Sequence, residues 1–145
     1  MIRKMTLADI EQVSGNEAVC FSRPWSLNAF RDVLTREHSV YLVAEQDGKV
    51  VGHCGVTNIV GEGEITNVAV IPEYRNQGLG QQLLETLISE GQKIGIKDFT
   101  LEVRAGNTSA IHLYEKAGFI SEGVRPGFYE APKEDALIMW KRQAE

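Results

Sequence analysis

The chain has 145 residues, of which 43% are hydrophobic and 24% are charged, and its net charge is −5. This length and composition predict one globular domain over residues 1–145 that folds without a metal or a disulfide. The acidic balance argues against direct nucleic-acid binding, which is typical of chains with a basic stripe or patch. Neither a signal-peptide pattern nor an apolar run of transmembrane length is present, so we expect a cytoplasmic protein that binds no membrane.

The first quarter of the chain predicts a strand and two helices. MIRKM is typical of a short strand, and Thr6 followed by Asp9 three residues later fits the capping box of a helix over 7–19. The run Pro24-Trp25-Ser26 breaks the chain. Ser26 can then cap a second helix, LNAFRDVLTR.

The middle of the chain predicts three strands joined by tight turns. The strand-like runs VYLVAEQ and KVVGHCGVTNIV flank Asp47-Gly48, a two-residue signal for a hairpin. Gly61-Glu62-Gly63 predicts another turn, and EITNVAVI predicts the next strand. The three strands are expected to form an antiparallel meander.

After Pro72 the apolar residues change to helical spacing, in QGLGQQLLETLI, and this pattern predicts a third helix. IKDFTLEVR then predicts a strand and NTSAIHLYEKAGF a helix that begins at Asn107 or Thr108 and ends at Gly118. FISEGVR and DALIMWK predict two closing strands. The order β-α-α-β-β-β-α-β-α-β-β indicates a single α/β (α+β) domain, with a mixed, mostly antiparallel central sheet flanked by helices.

The cysteines and histidines do not form a metal-binding pattern. Cys20 and Cys54 lie in apolar surroundings without a CxxC motif, which predicts two reduced, buried thiols. His38, His53 and His112 do not have metal-ligand spacing. We therefore expect structural or exposed histidines and no metal.

The stretch YRNQGLGQQLLETLI poses the first functional question, because two glycines precede a helix. It is not a P-loop, since Gly80 is followed by Gln81 rather than by lysine, and it is not a dinucleotide fingerprint, since Leu83 stands where the third glycine belongs. The remaining pattern is Arg-x-x-Gly-x-Gly at a helix start, where free N–H groups and the helix dipole bind anions. Taken alone, the pattern leaves open an anion site and a simple turn into a helix.

A second segment resolves this ambiguity through a family resemblance. EITNVAVIPEYRNQGLGQQLLETLI, followed about 30 residues later by LEVRAGNTSAIHLYEKAGF, resembles the acetyl-CoA-binding motifs of the GCN5-related N-acetyltransferase (GNAT) superfamily. The resemblance covers nearly the whole chain. It implies an acyltransferase with acetyl-CoA as co-substrate and no metal.

Shorter matches narrow the resemblance to the RimI type of this superfamily. They are Pro24-Trp25-Ser26, Asn67-Val68-Ala69-Val70, Leu101-Glu102-Val103-Arg104, and Tyr129 followed by Asp135-Ala136. RimI-type enzymes are bacterial and acetylate the N-terminal alanine of a small-subunit ribosomal protein. The implied partner is therefore a protein N-terminus, and the sequence makes no prediction about the oligomeric state.

The resemblance also implies which residues hold acetyl-CoA. The backbone of one strand would pair with the pantetheine arm, and the N–H groups of the glycine loop would bind the pyrophosphate. Asn107 would contact the cofactor or only cap its helix. The implied cofactor-binding residues are Val68, Ala69, Val70, Arg75, Asn76, Gln77, Gly78, Leu79, Gly80, Gln81 and Asn107.

Two side chains are candidates for proton transfer. Glu102 alternates with the apolar Leu101 and Val103, and it matches the glutamate proposed as the base in RimI-type enzymes. Tyr114 matches the superfamily tyrosine beside the coenzyme A sulfur, where a phenol can protonate the departing thiolate. Glu64 is a second candidate base. The implied substrate contacts are Trp25, Glu64 and Tyr129.

One segment departs from the RimI pattern. Where paired hydroxylated aromatics are usual, this chain has Phe128-Tyr129, preceded by Pro126-Gly127. We expect this late loop to contact the substrate. The departure therefore does not affect the predicted acetyl-transfer chemistry, but it leaves the identity of the acceptor amine open. A small amine or a lysine side chain is the alternative substrate, and a non-catalytic acyl-CoA-binding module is the alternative function.

Overall fold

One seven-stranded sheet carries the fold in the computed structural model, which describes residues 1–143. The strands lie in the order β1-β2-β3-β4-β5-β7-β6, and all neighbours are antiparallel except β4 and β5. The strands are β1 (Ile2–Lys4), β2 (Ser39–Gln46), β3 (Lys49–Ile59), β4 (Glu62–Val70), β5 (Asp98–Arg104), β6 (Ile120–Glu130) and β7 (Lys133–Lys141). The helices are α1 (Ile10–Cys20), α2 (Leu27–Val33), α3 (Leu79–Lys93) and α4 (Thr108–Lys116). The predicted element order and the mixed sheet are confirmed.

Helices cover both faces of the sheet because the central strands are apolar on both sides. In β2, Val40, Leu42 and Ala44 belong to the core cluster under α3, while Tyr41 and Val43 belong to the cluster under α1 and α2. This alternation follows the two-residue period of a strand. The apolar residues of α3 that follow the predicted helical spacing are buried against the sheet face that holds Val40, Leu42 and Ala44. They are Leu79, Leu83, Leu84, Leu87 and Ile88.

The predicted start of α2 is confirmed, and its end is not. Ser26 Oγ accepts a hydrogen bond from Ala29 N at 3.1 Å, as a cap should. The helix ends at Val33 rather than Arg36, because Thr35 N and Thr35 Oγ1 both bond to Asp32 O and close the last turn. The predicted helix over 7–19 is a 3₁₀ turn, Leu7–Asp9, followed by α1.

Two turns of the meander show how local signals succeed and fail. Asp47 and Gly48 both have positive φ, as the hairpin prediction requires. The turn predicted at 61–63 lies one residue earlier, at Val60 (φ +52°) and Gly61 (φ +88°), and β4 already begins at Glu62. A β-branched residue at positive φ is rare, which is why the sequence pattern pointed elsewhere.

The predicted late loop is part of a strand. Residues 126–129 lie within β6, where the pairing with β7 shifts register between Arg125 and Tyr129. Proline is tolerated in strands at such bulges, so Pro126 did not end the strand. Tyr129 lies at this bulge, and its ring contacts Arg104 at the end of β5.

A partly buried ion pair fixes the start of α1. Asp9 is 4% exposed, and its two carboxylate oxygens accept hydrogen bonds from Arg3 Nη1 and Nη2, each at 2.8 Å. The same carboxylate accepts from Thr6 N at 2.8 Å. The hydrogen bonds from Arg3 lower the pKa of Asp9 below its usual value of 3.8, against the opposing effect of burial.

We expect the substitution Asp9→Asn to destabilise the fold by about 2 kcal/mol near neutral pH, because it removes a charged acceptor from Arg3. The native pKa of Asp9 is depressed, so its contribution is present above about pH 4 and is lost as the pH falls through the native value. Urea unfolding at pH 7 and at pH 3 measures this, and the difference between wild type and variant should shrink at pH 3. An equal difference at both pH values would contradict the assignment.

None of the helices formed by residues 1–143 is long and apolar enough to cross a membrane.

Candidate active site

The central feature of the site is the divergence of β4 and β5, here called the fork. The two strands pair in parallel only from Glu62 to Glu64, opposite Asp98 to Thr100. Beyond this point β4 continues with β3 and β5 continues with β7. A cleft of about 760 Å³ opens between them. Inside the fork, the backbone N–H and C=O groups of β4 and β5 therefore do not hydrogen-bond to each other.

A β-bulge lies on the β4 side of the fork. His53 pairs with Ala69 and Gly55 pairs with Thr66, so Cys54 faces both Asn67 and Val68. Asn67 has φ of +56°, in the left-handed region that asparagine tolerates better than most residues. Such bulges bend a strand and re-aim the residues next to them.

The cleft gathers both predicted proton-transfer residues and all predicted substrate contacts. Glu102 lies on β5, and Tyr114 reaches the cleft from α4. The predicted cofactor-binding residues divide: Val68 and Asn107 line the cleft, and the glycine loop lies outside it. The predicted residues that line the cleft are Trp25, Glu64, Val68, Glu102, Asn107, Tyr114 and Tyr129.

Glu102 and Glu64 lie on the same face of the sheet. Glu64 on β4 is opposite Thr100 on β5. Glu102 lies two residues beyond Thr100 on β5, so the side chains of Glu64 and Glu102 both point away from the core cluster that holds Leu101. The Glu102 side chain is 26% exposed, and its Oε1 is 3.5 Å from Arg125 Nη1. Because Arg125 is more than half exposed, this ion pair is easily displaced.

Tyr114 is buried at the base of the cleft. It is 8% exposed, and its ring packs edge-on against Phe119 at 5.9 Å between centroids. Burial raises the pKa of the Tyr114 phenol above its ordinary value of 10, and the nearby Tyr129 raises it further. The hydroxyl therefore stays protonated throughout the neutral pH range.

Tyr129 is held by Arg104, for which the sequence predicted no role. The guanidinium of Arg104 stacks on the Tyr129 ring at 4.3 Å. The same group donates to Pro132 O at 2.8 Å and to Ser22 Oγ at 3.2 Å. Arg104 thus joins β5, the β6–β7 hairpin and the segment after α1 around one wall of the cleft.

The glycine loop has the backbone form of an anion site. Asn76 (φ +63°) and Gly78 (φ +80°) are both left-handed, and Gly78 is the N-cap of α3 without a side chain to cap it. The first bond of the helix runs from Gln82 N to Gly78 O. The N–H groups of residues 79–81 precede this bond and are available to a ligand. The residues here fit a pyrophosphate.

Two predicted cofactor residues have other contacts. Arg75 Nε donates to Val70 O at 2.8 Å, so the guanidinium lies back against the end of β4. Asn107 Oδ1 accepts from Ala110 N at 3.1 Å, which makes it the cap of α4, and it also lines the cleft. Ala69 and Val70 continue β4 beyond the bulge, outside the cleft lining.

The cysteine prediction is half wrong. Cys54 is fully buried, and burial raises its thiol pKa, but Cys20 is only half-buried and lines the cleft. His38 and His112 are exposed, and His53 is fully buried. Residues 1–143 contain no group of three or more histidine, cysteine or acidic side chains that could hold a metal.

Sequence reasoning missed several polar residues of the cleft. Arg104 stands inside the motif LEVR, and that position was its only signal. Glu17 on α1 and Arg125 on β6 have no local pattern that points to a site. Both reach the cleft through tertiary packing alone.

Comparisons with known proteins agree with this geometry. The acetyltransferase (GNAT) family model matches residues 8–119. A Bacillus subtilis protein, named as a candidate ribosomal protein bS18-alanine N-acetyltransferase, is 39% identical over 140 residues, which cover 96% of this chain and 93% of the relative. The Escherichia coli K12 ribosomal protein bS18-alanine N-acetyltransferase is 38% identical over 118 residues, which cover 80% of this chain and 79% of the relative.

A solved structure gives the same result in three dimensions. The crystal structure of the ribosomal-protein-S18-alanine N-acetyltransferase from E. coli superposes with a TM-score of 0.89 at 33% identity. The match covers 100% of this chain and 94% of that chain. The family model, the relatives and the forked sheet together establish that this chain is an N-acetyltransferase of the GNAT family.

Proposed function

We propose that the protein transfers an acetyl group from acetyl-CoA to the N-terminal alanine of a small-subunit ribosomal protein of the bS18 type. The observation that carries the proposal is that Glu102, on β5 of the fork, and Tyr114, on α4, line one cleft. The names of the relatives support the choice of substrate.

Acetyl-CoA supplies the activated acetyl thioester, and the chain supplies its binding site. The N–H groups of residues 76–81 would bind the pyrophosphate at the N-terminus of α3. The backbone of Val68, Ala69 and Val70, re-aimed by the bulge, would hold the pantetheine arm and direct an N–H group at the acetyl carbonyl. A preorganised N–H donor of this kind stabilises negative charge that develops on the oxygen.

Glu102 and Tyr114 would then move the two protons of the reaction. An α-amine has a pKa of about 7.7–8.0, so it is mostly protonated at neutral pH and benefits from a base. Glu102 would take the proton of the amine, directly or through a water. Tyr114, whose hydroxyl is protonated at neutral pH because burial raises its pKa, would give its proton to the departing thiolate.

The substrate N-terminus would enter between the segment after α1 and the bulge of β6. Trp25, Tyr129 and Glu64 all line the cleft, and Glu64 adds a negative charge on its face of the sheet. Glu64 is therefore a contact for a cationic N-terminus, and it is the second candidate for the base. Phe128, 43% exposed, adds an apolar surface next to Tyr129.

The test is mass spectrometry of peptides after incubation with acetyl-CoA. A peptide with the N-terminal sequence of bS18, including its free alanine, should gain one acetyl group. The same peptide with a blocked N-terminus and an internal lysine should gain none. Acetylation of the lysine peptide or of a small amine, but not of the free alanine, would contradict the substrate. Coenzyme A binding without turnover of any amine would favour a non-catalytic acyl-CoA-binding module.

The proposed substrate also indicates where in the cell the enzyme acts. A ribosomal-protein substrate implies a cytoplasmic enzyme, and the net charge of −5 argues against direct contact with ribosomal RNA. We further propose that residues 1–145 form one N-acetyltransferase domain, since a single sheet joins β1 near the N-terminus to β7 near the C-terminus.

The glycine loop can be tested without activity. We expect Gly78→Ala to raise the Kd for coenzyme A about tenfold, because a Cβ at φ +80° costs about 1–2 kcal/mol and shifts the anion-binding backbone. Gly48→Ala is the matched control: it has φ of +75° in the β2–β3 hairpin, with open space around its Cβ. Isothermal titration calorimetry should show unchanged affinity for the control. Equal losses in both variants would indicate a general effect of strain.

A further inference from the structure

A buried carboxylate connects β4 with the Trp25 segment beside the cleft. Glu17, on α1, is 1% exposed, although glutamate is rarely fully buried without partners. Its Oε2 accepts hydrogen bonds from Trp25 N at 3.0 Å and from Asn67 Nδ2 at 2.8 Å. Its Oε1 lies 2.9 Å from His53 Nε2. One carboxylate thus has three nitrogen partners on three different segments.

We propose that Glu17 is a positioning residue for acetyl transfer: it fixes the left-handed bulge at Asn67 and the Trp25 segment in one arrangement. This inference rests on the proposed function of the cleft. Glu17 would not react. It would act through the groups that it holds, one on the acetyl-CoA side and one on the substrate side.

The bulge needs an anchor because its backbone is strained. A residue other than glycine at positive φ costs about 1 kcal/mol or more and persists only where its surroundings hold it there. The side chain of Asn67 provides that hold through Glu17, and Val68 follows directly in the cleft lining. A bulge without this anchor can relax, and the N–H groups of β4 then change direction.

The Trp25 segment needs an anchor for a different reason. It follows α1 without regular structure, between Pro24 and the cap of α2. The Trp25 ring packs against Phe30 and Tyr41 at 5.3 and 6.0 Å between centroids. The bond from Trp25 N to Glu17 fixes the backbone as well, so the indole keeps one position at the cleft entrance.

His53 completes the arrangement from β3. It is fully buried, and Phe30 meets its ring edge-on at 5.7 Å. Within residues 1–143 its Nδ1 has no hydrogen-bond partner. This favours the tautomer with the proton on Nε2, donated to Glu17. All three partners are then donors, which matches the acceptor-only character of an ionised carboxylate.

Stability alone does not explain such a group. Replacing a whole buried ion pair or triad with well-packed apolar side chains is often neutral or stabilising, so a buried charged group is weak evidence of a stabilising role. A carboxylate that instead joins α1, β3, β4 and the Trp25 segment is suited to fixing geometry. Misplacement of reacting groups by about 1 Å can cost about a hundredfold in rate.

The test compares two variants of Glu17 with different hydrogen-bonding capacity. Glu17→Met keeps the size and removes both acceptors, and we expect kcat to fall about tenfold to a hundredfold. Glu17→Gln should stay within about fivefold of wild type, because its oxygen still accepts from Trp25 and Asn67 and its amide can donate to the other His53 tautomer. The Kd for coenzyme A should change less than kcat does in both variants, since the glycine loop that binds the pyrophosphate is untouched and only the pantetheine contacts of β4 depend on the bulge.

Asp9→Asn is the matched control, because it alters an equally buried carboxylate outside the cleft. All variants are assayed at a temperature where each is folded by circular dichroism. If Glu17→Met does not fold, Asn67→Ala replaces it: alanine removes the bond to Glu17 and leaves a residue other than glycine at positive φ, so the bulge loses its anchor, and we expect about a fivefold to tenfold loss in kcat.

Hydrogen exchange gives a readout of position besides activity. The amide of Trp25 should exchange at least about tenfold faster in Glu17→Met than in wild type or Asp9→Asn. Faster exchange with a wild-type kcat would overturn the positioning role and leave a structural one. A folded Glu17→Met with unchanged exchange and unchanged kcat would overturn the inference altogether. A wild-type protein that acetylates no amine would overturn the proposed function, and this role with it.

Discussion

Replacing Tyr114 with phenylalanine is expected to lower kcat by about a hundredfold or more, since general acid catalysis contributes about 10² to 10⁴ in rate. The variant keeps the ring, its packing against Phe119 and therefore the fold. Only the proton for the departing thiolate is lost. The measurement is thiol release from acetyl-CoA at saturating peptide, with the Kd for coenzyme A determined in parallel and expected to be unchanged.

A matched control separates this effect from the loss of any buried hydroxyl. Tyr41 is 4% exposed, burial raises its phenol pKa, and its Oη is hydrogen-bonded to Thr66 Oγ1 at 3.0 Å. Tyr41→Phe should cost about 1 kcal/mol of stability and change kcat by less than about threefold. If both tyrosine variants lose rate equally, Tyr114 is not the acid.

The second large effect is expected for Glu102→Gln. We expect kcat/KM near pH 7 to fall about a hundredfold, because the amine is mostly protonated there and the variant has no base to deprotonate it. The loss should shrink as the pH rises above about 8, where the free amine predominates. A pH profile of kcat/KM from about pH 6 to pH 9.5 measures this convergence, and Tyr114 stays protonated across that range.

Two further variants make this result specific. Glu122 is a carboxylate on β6 that is paired with Arg142 at 2.7 Å, outside the cleft. Glu122→Gln should leave the whole profile unchanged, because exposed ion pairs contribute little. Glu64→Gln tests the other candidate base. If Glu64→Gln shows the pH-dependent loss and Glu102→Gln does not, the base is Glu64.

Local patterns predicted most of the fold because most of its elements carry their own signals. The alternation in β2, the helical spacing in α3, the cap at Ser26 and the hairpin at Asp47-Gly48 each involve neighbours in sequence. The errors occurred where long-range pairing overrides a local signal. Val60 occupies a turn position that favours glycine or asparagine, and Pro126 lies inside a strand because β6 is bulged there.

The same division applies to the site. The sequence by itself determined the GNAT family and the candidates Glu102 and Tyr114, because each of the two long motifs is one continuous stretch of the chain. The tertiary structure alone decided the fork, since β4 and β5 are joined by a whole helix and their divergence depends on their other neighbours. It also decided the contacts of Glu17, whose partners Trp25, His53 and Asn67 are 8, 36 and 50 residues away. A lone acid on a helix has no signal in sequence, because its role comes from donors that only folding brings together.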